Sequence, residues 1–337
     1  MHRFQIPRAV TEMWKRRTDW IRLTGHSRWI LGCAVYLLIS ASAHAAGSLE
    51  RNGFSLEPSR IPQDQILSGG QSRDGIPTLD HPSVDAASAS SWKDEDLVVG
   101  VVHGGEARAY PLAILVWHEL VNDKLGGDPI LVSYCPLCGT ALVFDRRIDG
   151  RVHRFGVSGL LYQNGLLMYD RETESLWSQI EARAVTGAHI GRRLEMQRSR
   201  IMQWKAWREA HPNTTVVSRK TGYPRDYGRT PYQAYKTSNR LLFPLDADRS
   251  RHLKMPTLGL RIPDGPSRAY PSEEVARAGG RVEDRFANQP VVVSYDQETR
   301  RFDYQVPDGI EVVEGFWFAW MAFHPESDVF EASLTSE

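Results

Sequence analysis

The chain has 337 residues, of which 41 are basic and 41 are acidic, so it carries no formal net charge at neutral pH. This balance argues against a protein that binds nucleic acid or anionic lipid through a broad positive field. A hydrophobic content of 41% with ten tryptophans provides ample material for a packed core. The sequence therefore predicts a globular protein with one large domain or two modest ones.

The N-terminal residues have the order of features found in a secretory signal peptide. Basic residues precede the apolar run WILGCAVYLLI at 29–39, and AHA at 43–45 provides a small-x-small cleavage site. An apolar run of 11 residues is too short for an ordinary membrane-spanning helix. We therefore predict a signal peptide at 1–45 and an exported, periplasmic protein. An uncleaved segment would instead anchor the chain to the membrane, and translation starts at either Met1 or Met13.

The residues after the signal peptide predict an extended leader followed by alternating elements. Residues 46–92 are rich in Ser, Asp, Pro and Gly, which is typical of an extended segment. DLVVGVVH predicts a strand, AILVWHELVNDKLGG has apolar residues near helical spacing, and PILVSY predicts a second strand. After the cysteines, TALVFDRRIDGRVHRFGVSG predicts two strands joined by a hairpin turn at Asp149-Gly150.

Short matches within the chain indicate an internal duplication. RAYP occurs at 108–111 and at 268–271, and PILVSY at 129–134 is matched by PVVVSY at 290–295, so both matches have nearly the same offset. We therefore predict a β-rich α+β fold built from two degenerate copies of a strand-helix-strand-hairpin unit that pack together.

The predicted copies differ at the turn between two strands. The first copy, 93–245, has CPLCGT at this turn, and the second copy, 246–337, has the ordinary polar turn DQETRR and no cysteine. A turn that forms without thiols in one copy does not need them in the other, so the cysteines are expected to serve function. We expect the aromatic insert of the first copy, with TGYPRDYGRTPYQAYK, to help cover them, and we predict a closing strand at EGFWFAWMAFHP.

Cys135 and Cys138 are the only cysteines left once Cys33 is removed with the signal peptide. Their C-x-x-C spacing favours dithiol redox chemistry, in which one thiolate attacks and the other thiol resolves. A thioredoxin fold is not expected, because the residues after the motif predict a strand rather than a helix.

Two other interpretations of the pair remain open. The sulfurs could bind a metal, either Cu(I) or Zn(II), with His118 as a further ligand. A closed zinc site usually has four Cys or His ligands, and the chain has no second C-x-x-C. The pair could also form a structural disulfide in a non-catalytic binding module, although so short a loop gains little stability from closure.

The stretch from YPLAILVWHELVNDKLGG through SYCPLCG to LLMYDRETESLWSQ resembles a bacterial and archaeal family of exported proteins, the domain of unknown function 3179 family. In that family Thr can stand at the position of Cys138 and selenocysteine can occur at the motif. The resemblance thus implies that Cys135 is the reactive residue and Cys138 an optional resolving partner. It also makes neighbouring motif residues candidates for the wall of a pocket: Tyr134, Tyr162, Asp170, Arg171, Trp177 and Gln179.

These observations lead to one functional hypothesis and two alternatives. The hypothesis is thiol-based redox chemistry at Cys135 and Cys138, acting on a redox partner or a small-molecule substrate, with no role for nucleic acid. The alternatives are a protein that binds or delivers a soft metal and a binding module with a structural disulfide. A membrane is involved only through the N-terminal segment, if that segment is not cleaved.

Overall fold

The computed structural model describes residues 49–333, which consist mainly of short strands. The first half of the strands are β1 (Glu50–Arg51), β2 (Phe54–Ser55), β3 (Leu67–Ser68), β4 (Leu79–Asp80), β5 (Val84–Ala86), β6 (Leu97–His103), β7 (Glu106–Pro111), β8 (Leu120–Leu125), β9 (Asp128–Cys135), β10 (Thr140–Asp145), β11 (Arg147–Ile148), β12 (Arg151–Val152) and β13 (Phe155–Tyr162). The second half are β14 (Gly165–Asp170), β15 (Leu176–Ser178), β16 (Arg183–Ala184), β17 (Met196–Gln197), β18 (Ser199–Gln203), β19 (Thr215–Val217), β20 (Pro256–Arg261), β21 (Ser267–Pro271), β22 (Arg281–Phe286), β23 (Gln289–Asp296), β24 (Arg301–Gln305), β25 (Glu311–Phe316) and β26 (Asp328–Val329).

The α-helices of this range are short: α1 (Leu112–His118), α2 (Trp204–Ala210), α3 (Gln233–Lys236), α4 (Ser272–Arg277) and α5 (Trp317–Phe323). Between 49 and 333, none of the helices has the length and apolar composition needed to cross a membrane. The predicted signal peptide at 1–45 lies outside the described residues.

Five sheets are arranged as the blades of a β-propeller, and the predicted fold of two packed strand-helix-strand-hairpin copies is therefore wrong. Two further two-stranded ribbons, β1-β2 and β11-β12, join them. The strand orders of the five sheets are β18-β6-β7-β19-β5, β17-β10-β9-β8-β4, β16-β15-β14-β13-β3, β25-β20-β21-β26 and β22-β23-β24.

The predicted helix AILVWHELVNDKLGG is helical only as far as His118. Glu119 has φ 58° and ψ −39°, which stops the helix, and the residues after it form β8. β8 pairs with β9 rather than with β7, so the strands of the predicted unit belong to two different sheets. The same division separates β21 from β22 after α4.

Two sheets have the same connections, and the RAYP matches lie on their strands β7 and β21. In one, β18 leads through α2 to β19, and in the other β25 leads through α5 to β26. Each helix packs a tryptophan against a glycine: a Cβ on Gly100 would lie 2.2 Å from the Trp207 ring, and one on Gly259 would lie 2.0 Å from the Trp320 ring. EGFWFAWMAFHP is therefore a strand followed by a helix, which corrects the predicted closing strand.

The predicted leader is extended from Leu49 onward, and it is also part of the fold. β3, β4 and β5 each pair with a strand of a different sheet, namely β13, β8 and β19. Phe54, Leu56 and Ile66 are fully buried and pack with Tyr169. These residues cover one side of the sheet that contains β13 and β14.

Candidate thiol site

The two cysteines lie in the tight connection between β9 and β10, which we call the cysteine turn (residues 135–139). Cys135 pairs with Thr140 across the strands, and Gly139 has φ 67°, a left-handed conformation that favours glycine. A Cβ at Gly139 would also lie 2.9 Å from the ring of Phe316. Cys135 is 2% exposed, Cys138 is fully buried, and both are free thiols, so the turn forms without a disulfide.

The cysteine turn has two counterparts in other sheets, where an aspartate stands in place of Cys135. Asp170 follows Tyr169 at the end of β14, and Asp296 follows Tyr295 at the end of β23, as Cys135 follows Tyr134. The residue four positions later has positive φ in all three turns: Gly139 (67°), Glu174 (60°) and Arg300 (57°). The three turns therefore share a positive φ at their fifth residue.

In the two aspartate turns, backbone N–H groups point at the first side chain. Oδ1 of Asp296 accepts hydrogen bonds from the N–H groups of Glu298 (2.8 Å) and Thr299 (2.9 Å). Oδ1 of Asp170 accepts one from the N–H of Thr173 at 2.7 Å. Successive N–H groups of this kind form an anion-binding site, so the cysteine turn presents to Cys135 a site that holds a carboxylate in its counterparts.

The pKa of Cys135 follows from two opposing effects. Complete burial raises it, but the thiol of Cys138 and the backbone N–H groups of Cys138, Leu166 and Leu137 stabilise the thiolate and bring the pKa below its usual value. Burial and the adjacent Cys135 sulfur raise the pKa of Cys138 well above its usual value. Cys135 is therefore the more acidic thiol of the pair, and Cys138 is the less acidic one.

A small cavity of about 110 Å³, which we call the thiol cavity, opens beside Cys135. Its walls are mostly apolar and come from five parts of the chain: the leader, Glu119 after α1, the cysteine turn, the strand pair β13-β14, and the residues on either side of α3. The lining residues are Gly69, Gln71, Ile76, Glu119, Cys135, Pro136, Leu137, Val157, Gly159, Leu160, Leu161, Leu166, Tyr232, Leu242 and Phe243.

Glu119 is the one carboxylate among the residues that line the thiol cavity. It is 7% exposed, and no described residue forms an ion pair or a hydrogen bond with its carboxyl group. Burial, followed by repulsion from Cys135, raises its pKa to about 8. Its backbone carbonyl accepts the N–H of Tyr134 at 2.7 Å, which fixes Glu119 beside the end of β9. The cavity is thus lined by a thiol with a lowered pKa and by a carboxylic acid that is protonated at neutral pH.

The six pocket residues implied by the family resemblance do not line the thiol cavity. Gln179 supports the cysteine hairpin instead, since its Nε2 donates to Ser133 Oγ (2.9 Å) and to the carbonyl of Thr140 (3.2 Å). Tyr134 is buried in the core beside the turn, and Tyr162 packs edge-on against Phe323.

The other three of those residues lie at or near the turn that follows β14: Asp170 ends that strand, Arg171 is in the turn, and Trp177 is on β15. The indole N–H of Trp177 donates to Asp170 Oδ2 at 2.9 Å, and Arg171 pairs with Asp74 at 2.8 Å. They therefore build the carboxylate counterpart of the cysteine turn.

His118, predicted as a metal ligand with the cysteines, uses both ring nitrogens elsewhere. Nδ1 bonds to the carbonyl of Pro77 and Nε2 to the hydroxyl of Tyr227, each at 2.7 Å. It therefore offers no ligand atom to the cysteine pair in this arrangement.

Tyr232 and Tyr235 are site residues that the motifs did not single out. Tyr232 lines the cavity, and the hydroxyl of Tyr235 donates to the carbonyl of Leu137 at 3.0 Å. The only signal in the sequence was the concentration of tyrosines in TGYPRDYGRTPYQAYK, which predicted cover over the site without naming the contacts.

A second cluster of side chains that could bind a metal does not include the cysteines. His153, Asp170 and His189 place one potential ligand atom each within 4.8 Å of one another, and they are the residues of the described range that could hold a metal ion.

No curated protein and no solved structure matches this chain. A family model does match, over residues 73–308, and its description is "Protein of unknown function (DUF3179)". The matched range includes the cysteine turn, Glu119 and the tyrosines that cover the thiol cavity. The resemblance inferred from the sequence is confirmed: the chain belongs to the DUF3179 family of proteins of unknown function.

Proposed function

We propose that the protein uses Cys135 to reduce a small oxidant, with Cys138 as the resolving thiol. The observation that carries this proposal is that Cys135 stands at the position that Asp170 and Asp296 occupy in their turns, where backbone N–H groups bind the carboxylates. A thiolate, not a thiol, is the nucleophile in such chemistry. A turn that stabilises an anion therefore prepares this cysteine for attack.

The burial of the site favours a small molecule over a protein disulfide as the oxidant. Cys135 is 2% exposed and Cys138 is fully buried, so another protein's cysteine has no access to either sulfur. The thiol cavity, at about 110 Å³, is also smaller than the pockets that hold drug-sized ligands. Its apolar walls suit a small alkyl hydroperoxide.

In the first step the Cys135 thiolate attacks the terminal oxygen of the hydroperoxide. A sulfur–oxygen bond forms, the oxygen–oxygen bond breaks, and an alkoxide leaves with the electron pair of that bond. Glu119, protonated at neutral pH, shares the cavity and gives its proton to the alkoxide, which departs as an alcohol. The sulfur is oxidised by two electrons to a sulfenic acid, and the hydroperoxide is reduced.

In the second step Cys138 resolves the sulfenic acid. Its thiol sulfur attacks Cys135, a disulfide forms, and the sulfenic oxygen leaves as water with the thiol proton and the hydroxyl proton. A low-molecular-weight dithiol that can enter the thiol cavity then returns the pair to two thiols and becomes a disulfide itself. For an exported chain, as the N-terminal sequence predicts, that dithiol belongs to the periplasm.

The test is the intact mass of the reduced chain after one equivalent of tert-butyl hydroperoxide. We expect the wild-type chain to become lighter by two hydrogens and Cys138→Ser to gain one oxygen that dimedone traps. Cys135→Ser should be unchanged. Unchanged wild-type mass, or oxidation that persists in Cys135→Ser, would contradict the proposal.

A second candidate is soft-metal binding by the same sulfurs, because Cys135 and Cys138 are buried free thiols of one tight turn. Two adjacent thiolates suit Cu(I), whereas Zn(II) would need further ligands. One equivalent of Cu(I) retained through desalting, and lost in the double serine variant, would favour this function.

A further inference from the structure

We infer that His153, Asp170 and His189 form a binding site for a divalent transition-metal ion, separate from the cysteine pair. His153 precedes β13, Asp170 ends β14, and His189 lies in the loop after β16. Their ligand atoms lie within 4.8 Å of one another. Around a tetrahedral zinc ion such atoms are roughly 3.4 Å apart, so binding would draw the side chains together by about 1 Å.

His153 is held in the tautomer that a metal requires. Its Nδ1 donates to the carbonyl of Arg151 at 3.0 Å, which leaves the lone pair of Nε2 free. Histidines that bind metals usually donate their other ring N–H to a carbonyl in this way. The backbone is fixed as well, because the carbonyl of His153 accepts a hydrogen bond from the buried guanidinium of Arg146 at 3.0 Å.

His189 contributes a second ring nitrogen to the cluster. Its Nε2 is buried and has no hydrogen-bond partner among residues 49–333. The ring packs edge-on against His153, with centroids 5.2 Å apart, and also contacts Trp177. Because buried polar atoms are normally paired, this nitrogen is the strongest indication that a ligand belongs in the cluster.

Asp170 supplies the negative charge. It is fully buried, and no Lys or Arg of the described range forms an ion pair with it. Its oxygens are oriented by the indole N–H of Trp177 (2.9 Å) and by the backbone N–H of Thr173 (2.7 Å). A buried carboxylate normally has a cationic partner, and a metal ion between it and the two imidazoles would provide one.

The donor set decides the class of ion. Two imidazoles and one carboxylate suit Zn(II), Fe(II) and other divalent first-row ions, whereas Cu(I) prefers thiolates and Mg(II) prefers oxygen ligands. Three protein ligands leave at least one coordination position open to water or to a substrate.

Titration of a tag-free, chelator-stripped chain with Co(II), followed by visible absorption, tests the site, with Zn(II) in competition. We expect one equivalent to bind and His189→Ala to bind at least tenfold more weakly. His153→Ala should behave in the same way. His211→Ala, which alters a histidine packed on Trp207, should bind as the wild type does, and so should the Cys135→Ser/Cys138→Ser variant.

Thermal unfolding shows whether a variant that loses metal binding is still folded. Zn(II) should raise the Tm of the wild-type chain, while His189→Ala should keep the metal-free Tm and show no such rise. Absence of stoichiometric binding would overturn the inference. So would binding that is lost in the double serine variant and kept in His189→Ala, because the metal would then lie on the sulfurs.

Discussion

Glu119 has two energetically unfavourable features. Its backbone has φ 58°, a conformation that costs energy for a residue with a Cβ, and its carboxyl group is buried without a cationic partner in the described range. Residues held in such states often lie at functional sites. Here the left-handed conformation ends α1 and brings the carboxyl group to the wall of the thiol cavity.

The raised pKa of Glu119 predicts how stability depends on pH. Its pKa is about 8 in the folded chain and 4.5 when unperturbed, so between these values the folded chain holds a proton that the unfolded chain releases. The free energy of unfolding should therefore fall as pH rises across this window, by up to about 1.4 kcal/mol per pH unit from this group. Glu119→Gln should remove that dependence.

Denaturant unfolding at pH 5, 6.5 and 8 measures the effect. Glu119→Gln should gain stability relative to wild type as pH rises, and the exposed Glu95→Gln control should track the wild type. Parallel curves for wild type and Glu119→Gln would show that the carboxyl group ionises normally in the folded chain.

The turn after each of three strands explains why a cysteine can act as an anion here. Cys135, Asp170 and Asp296 follow tyrosines, and the fifth residue of each turn has positive φ. For Cys135 the Cys138 thiol and backbone N–H groups, rather than a neighbouring Lys or Arg, lower the pKa. Such a site should therefore lower the pKa of a cysteine placed in either counterpart.

Asp296→Cys in a background without other cysteines tests this transfer. The N–H groups of Glu298 and Thr299 remain in place, so the thiol pKa should be about one unit below that of Glu298→Cys. Glu298→Cys is a matched control, because its side chain is exposed in the same turn but does not receive those N–H groups. The rate of alkylation as a function of pH gives both values. Equal pKa values would mean that the turn does not stabilise the thiolate.

The sequence predicted individual helices, strands and turns better than it predicted which strands pair in the sheets. Asp149-Gly150 forms the expected turn, with positive φ at both residues, but it joins the short strands β11 and β12, whereas the longer strands β10 and β13 lie in different sheets. The helix over AILVWHELVNDKLGG was overextended because Leu120, Val121 and Leu125 fit either a helix face or a buried strand. Only sheet pairing decides between the two.

The sequence also contains a repeat that indicates a helix, rather than a closing strand, near the C-terminus. WKAWREAHP at 204–212 and WFAWMAFHP at 317–325 share their tryptophans and their final His-Pro, and both form a helix that packs on a glycine of the neighbouring strand. The duplication predicted from RAYP therefore stays a proposal, supported by the shared connections of the two sheets.

The sequence identified the two thiols of the candidate site, but it did not identify the residues that form the cavity wall. C-x-x-C spacing and an aspartate at the matching position indicated the thiols. Residues such as Leu166 and Phe243 are distant from Cys135 in sequence, and only the packing of sheets brings them to the cavity.

The whole fold extends beyond the range that matches the family, 73–308. Phe54, Leu56 and Ile66 precede that range, while Trp317 and Trp320 follow it, and all five are buried. β25 pairs with β20 along six residues, and the N–H of Phe316 donates to the carbonyl of Cys138 at 2.8 Å. The C-terminal strand therefore supports both its own sheet and the cysteine turn.

A chain trimmed to 73–308 should not fold. Each large apolar side chain contributes about 1.5–3 kcal/mol when buried, and the loss of five exceeds much of the usual 5–15 kcal/mol of stability. Residues 47–337 should show a cooperative thermal transition in near-ultraviolet circular dichroism, and 73–308 should show none. A cooperative transition in the trimmed chain would show that the flanking residues are dispensable.

Thiolate absorbance at 240 nm, recorded across pH for the reduced wild-type chain and for Cys135→Ser, measures the ionisation of Cys135. The difference between the two titrations isolates this residue. We expect its midpoint to lie below about 8.5, the value of an unperturbed cysteine. A midpoint at or above that value would mean that burial prevails over the backbone N–H groups, and Cys135 would not be the nucleophile proposed here.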